Sequence, residues 1–143
     1  MNPRILAVDT TTEFGGIALL RGSELIDEVL LHSSEGFGQI LFANVERLLA
    51  RHGWKADDFD CFAAAAGPGT FTGTRVGLAA VKGFAEAVGK PLVAVSNLAA
   101  VASFGTAAMR AAVLDARRGE IYGAVYSSSL ALISQETVAK FPV

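Results

Sequence analysis

Three stretches of this sequence gather groups able to hold a phosphate or a metal. The first is Val8-Asp9-Thr10-Thr11-Thr12, a carboxylate followed by three hydroxyls. It follows the apolar run Ile5-Leu6-Ala7-Val8, so Asp9 falls at the carboxyl end of a buried strand. α/β sheets bind their ligands at such ends. The same residues equally suit a plain turn, with Asp9 as its cap and the threonines satisfying backbone groups. The second stretch is Gly67-Pro68-Gly69-Thr70-Phe71-Thr72-Gly73-Thr74-Arg75-Val76-Gly77, between a strand and a helix. Gly67 and Gly69 allow backbone angles closed to other residues, Pro68 fixes the turn, and Thr70 or Thr72 can cap the helix. A helix N-terminus behind a glycine loop offers unpaired N–H groups to an anion. The loop lacks the Gly-Lys-Ser/Thr ending of a P-loop and the spacing of a dinucleotide fingerprint. A structural turn that seats the helix tightly on the sheet would use the same residues. The third stretch is Asp115-Ala116-Arg117-Arg118-Gly119-Glu120. It reads as a solvated ion-pair turn of little energetic weight, or as a phosphate or partner contact across a cleft.

The elements that must position these groups follow from periodicity. Gly15 to Leu20 and Glu24 to Leu31 are strand candidates joined by Arg21-Gly22-Ser23, a hairpin. Ile40, Leu41, Val45, Leu48 and Leu49 share a helical face; Ser33 or Ser34 can cap that helix, and Gly53 can end it. Cys61 to Ala66 reads as a central strand, and a second helix runs from Phe71 or Thr72 to Val88, closed by Gly89. Pro91 to Val95 is a strand. Asn97 to Ala108 is a third helix capped by Ser96. Ala111 to Asp115, Ile121 to Tyr126 and Leu130 to Val138 form a second meander, so a strand–aspartate–turn pattern occurs twice. The order predicts an α/β fold: a mixed five-stranded sheet flanked by helices over residues 1–106, and the start of a second, similar lobe over residues 107–143. A lone meander leaves a face uncovered, so it must lean on another surface.

The second helix carries Gly73, Gly77 and Ala80 on one side, with Phe84 nearby. Glycine inside a helix costs roughly 1 kcal/mol against alanine. Close approach of another backbone, a sheet's or a partner helix's, would repay it. The helix is apolar nearly all round, which in so small a domain predicts a partner on its second side.

Composition limits the functions. The chain has 143 residues, 52% hydrophobic and 18% charged, with a net charge of −2. That is too apolar for disorder. No stretch reaches the ~18–20 uninterrupted apolar residues of a membrane span; the best, Ala79 to Val95, is broken by Lys82, Glu86 and Lys90. An acidic balance does not hold nucleic acid by electrostatics alone. The single cysteine, Cys61, fits a reducing cytoplasm. No signal-peptide core follows Met1. His32 and His52 form no ligand pair, so the expectation is no metal site, and both are read as surface or capping residues. A serine-hydrolase elbow is absent.

Taken together, Ala7 to Thr12, Ala66 to Gly77 and Leu114-Asp115-Ala116-Arg117-Arg118-Gly119-Glu120-Ile121-Tyr122 resemble the TsaB (YeaZ) family over essentially the whole chain. The resemblance implies a ribonuclease H-like, actin-like ATPase (ASKHA) lobe fold. In sugar kinases, actin and their relatives, a strand-end aspartate holds Mg²⁺ through water beside the nucleotide phosphates, usually with glycine two residues on. Here that position is Thr11. The residues that would face phosphate are Asp9, Thr10, Thr11, Gly67, Gly69 and Thr70. The resemblance further implies a non-catalytic scaffold or activator in threonylcarbamoyladenosine synthesis on transfer RNA, heterodimerising with a TsaD-like catalytic subunit. It implies a TsaE-like ATPase reached through the complex, a homodimer in isolation, and transfer RNA bound only through the complex. It carries no cofactor of its own, with ATP and Mg²⁺ at most at the complex interface. The interface helices of the family match Ser34–Arg51 and Thr72–Val88. The residues expected there are Ile40, Leu41, Val45, Thr72, Gly73, Arg75, Val76, Gly77, Ala80 and Phe84. Asp115, Arg117, Arg118 and Glu120 would line the cleft. Thr70 stands for the family's usual serine and Thr74 for an apolar residue. Family members continue through a full second lobe, whereas this chain ends inside it. The alternatives are an independent ATPase or kinase of the same superfamily and, further off, an inactive metallopeptidase relative.

Overall fold

A computed structural model describes residues 2–141. Met1, Pro142 and Val143, the ends of the two expected units, lie outside the described residues. Strands β1 (Arg4–Asp9), β2 (Phe14–Arg21) and β3 (Glu24–His32) form an antiparallel meander. β4 (Cys61–Ala65) and β5 (Leu92–Val95) add in parallel, giving the order β3-β2-β1-β4-β5. This is the expected mixed sheet.

Alternation along the strands decides what covers it. Leu6 and Val8, Ile17 and Leu19, and Phe62 and Ala64 all turn to one face and are buried. Helices α1 (Leu41–His52) and α2 (Phe71–Val88) lie on that face. Leu41 and Leu48 from α1 and Val81 from α2 close the core with no exposed surface. Burying each such side chain contributes about 1.5–3 kcal/mol. Both helices end as expected, on Gly53 and Gly89 in the left-handed region at φ 63° and 64°.

Two helix boundaries differ from expectation. α1 begins at Leu41 rather than near Ser34, and no side chain caps it. The Ser33 hydroxyl instead donates to the Gly36 carbonyl at 2.6 Å, Gly36 takes φ 99°, and Phe37 plugs the core. The loop thus serves as a core anchor, and two glycines around Phe37 keep it from becoming helix. α3 (Asn97–Ala102) stops six residues short of Ala108. Arg110 folds back over its end, donating to the Ala107 and Ala102 carbonyls at 3.0 and 3.4 Å.

The remaining strands, β6 (Met109–Arg117), β7 (Glu120–Ser127) and β8 (Leu132–Lys140), form a second antiparallel sheet in the order β6-β7-β8. It leans on α3: Leu98 and Ala102 pack with Ala112, Ala124 and Tyr126 in a separate small core. α3, expected to belong to the first lobe, therefore packs with the second sheet. Glu136 on β8 accepts hydrogen bonds from Tyr126 Oη at 2.8 Å and from Ser96 Oγ, the cap of α3. Among the described residues, no helix is long and apolar enough to cross a membrane.

Candidate functional site

The two strand-end aspartates, the glycine loop and α3 meet along a groove of about 1080 Å³ between the sheets. Asp9, Thr11, Gly69, Thr70, Asn97, Asp115, Arg117 and Tyr122 all line it. The fold thus brings together residues far apart in the chain.

How those groups are engaged decides what the site can do. Asp9 Oδ1 accepts from the Thr11 backbone N–H at 2.8 Å and from the Thr11 hydroxyl at 2.7 Å. Thr11 Oγ1 in turn accepts from Asn97 Nδ2 at 2.6 Å, and the same amide reaches the Pro68 carbonyl at 3.3 Å. The Thr70 N–H donates to the Thr11 carbonyl at 2.7 Å, and the Thr10 hydroxyl to the Gly73 carbonyl at 2.6 Å. The Thr70 hydroxyl caps α2, accepting from the Gly73 N–H at 3.1 Å. Thr10 and Thr11 are each only 1% exposed. The threonine turn and the glycine loop are therefore clamped to each other by two direct hydrogen bonds, Thr70 N–H to the Thr11 carbonyl and Thr10 hydroxyl to the Gly73 carbonyl.

Three glycines exist for this clamp. A Cβ at Gly69 would sit 2.6 Å from Thr11 Cβ, one at Gly73 would collide with the Thr10 carbonyl, and one at Gly77 would lie 2.5 Å from Thr10 Oγ1. The compensating close approach expected for the helix glycines occurs inside the chain. This corrects the interface expectation: Gly77 and Ala80 are buried against the chain's own sheet, and Leu41 and Val45 belong to its core. Gly73, Val76, Phe84 and Ile40 are half-buried, and only Thr72 and Arg75 of the expected set are exposed.

The outer face of the two helices carries other residues. Phe42 is 53% exposed and Phe71 69%. Phe42 leans on Phe84, with ring centroids 5.6 Å apart, and Phe84 stacks on the buried Phe62. The Arg75 guanidinium lies 3.6 Å from the centre of the Phe71 ring. Phe42 escaped the sequence reading because it sits one position off the apolar stripe of α1. Gly83 also faces outward, with nothing near its Cβ position.

In the clamped turn Asp9 Oδ1 is already doubly bonded, and the Thr70 and Gly73 N–H groups of the loop donate to the Thr11 carbonyl and the Thr70 hydroxyl. No group of three or more metal-ligating side chains occurs among the described residues.

At the third stretch, Asp115 Oδ1 accepts from the Arg117 N–H at 2.7 Å, repeating the Asp9–Thr11 turn. Arg117 and Arg118 take φ 64° and 56°. Among the described residues neither guanidinium has an ion-pair partner, so the ion-pair turn expected there does not form. His52 is not a surface cap either. Its Nε2 lies 2.8 Å from Asp27 Oδ2, tying α1 to β3, and Arg51 adds a contact at 3.2 Å. That His52 hydrogen bond, with Arg51 beside it, holds the Asp27 carboxyl below its ordinary value.

The family model described as TsaD, tRNA N6-adenosine threonylcarbamoyltransferase, matches residues 32–141. The chain is 32% identical to the tRNA threonylcarbamoyladenosine biosynthesis protein TsaB of Bacillus subtilis over 92% of its own length and 58% of that protein's. It is 35% identical to the Escherichia coli TsaB over 86% of its own length and 54% of that protein's. The structure of YeaZ from Pseudomonas aeruginosa superposes with a TM-score of 0.84 at 33% identity, covering 95% of this chain and 67% of that one. The chain spans little more than half the length of the curated relatives it matches. With sequence and fold agreeing along nearly all of it, this chain belongs to the TsaD-type family, in its TsaB (YeaZ) branch.

Proposed function

We propose that the chain is a non-catalytic scaffold or activator subunit in the synthesis of N6-threonylcarbamoyladenosine on transfer RNA, heterodimerising with a TsaD-like catalytic subunit. The observation that carries the reading is the clamp between the Asp9 turn and the glycine loop. Asp9 Oδ1, the Thr10 hydroxyl and the Thr70 N–H are used in the chain's own packing. A domain so arranged contributes surface rather than chemistry. The surface is the outer face of α1 and α2, where Phe42 and Phe71 stand exposed. Aromatic side chains that become buried on association carry much of the energy of protein interfaces. In isolation the same face pairs two copies. The chain holds no cofactor of its own; ATP and Mg²⁺ belong to the partner side of the interface and to a TsaE-like ATPase that joins the complex.

The test is co-purification with the TsaD-like protein of the same organism, followed by a transfer-RNA modification assay with and without this chain. The F42E/F71E variant is expected to keep its melting temperature and lose both association and stimulation. Full association and stimulation by that variant would defeat the proposed interface. Micromolar Mg-ATP binding with turnover by this chain alone would instead establish the independent-ATPase reading.

A further inference from the structure

We infer that the tip of the β6–β7 hairpin, Arg117 and Arg118 with the adjoining Lys140 and Phe141, is a contact surface for the phosphate backbone of RNA. The inference rests on the function proposed above, which makes an RNA the substrate of the assembly. It adds a direct contact where that function had assigned RNA only to the complex.

The first support is the disposition of the basic groups. Arg4, Arg51 and Lys82 are ion-paired. Arg21 and Arg75 lie over aromatic rings, and Arg110 is turned onto backbone carbonyls. Of the six basic side chains that remain without such a partner among the described residues, three stand at this one tip. β7 pairs Glu120 with Lys140, and the Phe141 N–H donates to the Gly119 carbonyl at 2.9 Å, which brings both residues beside the turn. Among the described residues the carboxylates nearby are Asp115 and Glu120, and Asp115 is turned onto the Arg117 backbone N–H.

The second support is backbone strain. Arg117, Arg118 and Gly119 occupy the left-handed region in succession, at φ 64°, 56° and 73°. A tight hairpin turn of this kind favours Asn, Asp or Gly, which take positive φ at little cost. Arginine gains nothing from the turn, and among the described residues neither guanidinium has a hydrogen bond, ion pair or ring contact that would repay the strain. An external ligand repays it. A planar guanidinium matches the two oxygens of a phosphate in a forked pair of hydrogen bonds. Phe141, 57% exposed next to the arginines, adds a ring on which an unstacked base can lie. Arg117 also lines the groove between the sheets, so bound RNA would run along its mouth.

The experiment uses the assembled complex of this chain with its TsaD-like partner and an unmodified transfer-RNA transcript. Binding is followed by anisotropy across a salt series. R117Q/R118Q is compared with K55Q/K90Q, which removes the same charge away from the tip and from α1 and α2. R118G relieves the turn without removing the fold. The expected result is a fall in affinity of at least fivefold for R117Q/R118Q, with a salt slope shallower by one to two phosphate contacts. K55Q/K90Q should bind as wild type. R118G should melt at an unchanged or higher temperature yet bind RNA more weakly. Unchanged affinity and slope for R117Q/R118Q, in a complex that still modifies RNA, overturn this inference and leave the proposed function standing. Loss of complex formation by that variant overturns it too, by making the tip a protein contact. If the wild-type chain neither assembles nor binds RNA, both readings fall together.

Discussion

Replacing single glycines of α2 by alanine separates the clamp from the helix that carries it. In the helix interior, the exchange gains about 0.5–1 kcal/mol from backbone entropy alone. At Gly83 nothing lies within 4 Å of the new methyl, so that gain is unopposed. For 143 residues, 1 kcal/mol corresponds to roughly 3 °C in melting temperature, so G83A is expected to melt about 2–3 °C higher. At Gly73 the same methyl meets the Thr10 carbonyl and lies 2.6 Å from Thr70 Oγ1. Neither can withdraw cheaply, because Thr10 is buried and Thr70 caps the helix. Overpacking of this kind costs about 1–3 kcal/mol. Losing the Thr10–Gly73 hydrogen bond adds about 1 kcal/mol. Net of the helix gain, G73A should lose about 1–3 kcal/mol and melt roughly 3–9 °C lower. G77A should fall between the two, since the obstacle there is a hydroxyl that can rotate at the expense of its bond to Gly73. Chemical denaturation of the three variants supplies the free energies and calorimetry the melting temperatures. G73A as stable as G83A would refute the clamp, because α2 would then have room above Thr10.

Asn97 should matter through both of its amide contacts: N97A is expected to lose about 1–3 kcal/mol by unpairing buried Thr11 and the loop carbonyl, read by urea denaturation. Asp27 titrates below its ordinary 3.8, chiefly through the His52 hydrogen bond. A lowered carboxyl stabilises the fold above the unfolded value, and that contribution disappears as pH falls through the folded one. Wild type should therefore exceed D27N in stability at pH 5–6, with the difference closing below pH 3.8 in an acid denaturation series. Tyr126 is raised above 10.0, first by burial. Its contribution is complete below that pH and fades as the phenol ionises above it, so Y126F should lose less stability than wild type on alkaline titration.

The elements were legible in the sequence wherever one physical signal dominated. Alternation in β1 and β2, Thr70 before a helix, and Gly53 and Gly89 after one are local signals, and the structure matches each of them. What the sequence concealed was the destination of each face. Gly73 and Gly77 announce that something comes close to α2, but their spacing is the same whether a partner or Thr10 approaches. Ser33 and Ser34 have the side chains of helix caps. Only the burial of Phe37, a long-range fact, makes their segment a loop. His52 and Asp27 are 25 residues apart and look unrelated until β3 passes under α1. The candidate site was legible as a set of residues and illegible as a state. Asp9, Thr11 and Gly69 do meet, yet nothing local to any of them says that Thr11 bonds to Asp9 and leaves no room for a side chain at Gly69.

The repeated aspartate turn shows why that state matters. In both copies a strand-end carboxylate accepts from the N–H two residues on, at 2.8 Å from Thr11 and 2.7 Å from Arg117. The backbone device is the same, and the difference lies in what stands over it. Above Asp9 the glycine loop descends, bonds to the Thr11 carbonyl through Thr70, and buries both threonines. Small hydroxyl residues suit that position because each can donate and accept within a closed contact. Above Asp115 the described residues provide no glycine loop, and the positions that follow carry two exposed arginines instead. Long cations would be untenable under a loop and are useful only where solvent or a ligand reaches them. Thus the turn that most resembles a nucleotide site by sequence is braced by its own glycine loop beside the groove, and the copy least like one carries two exposed arginines.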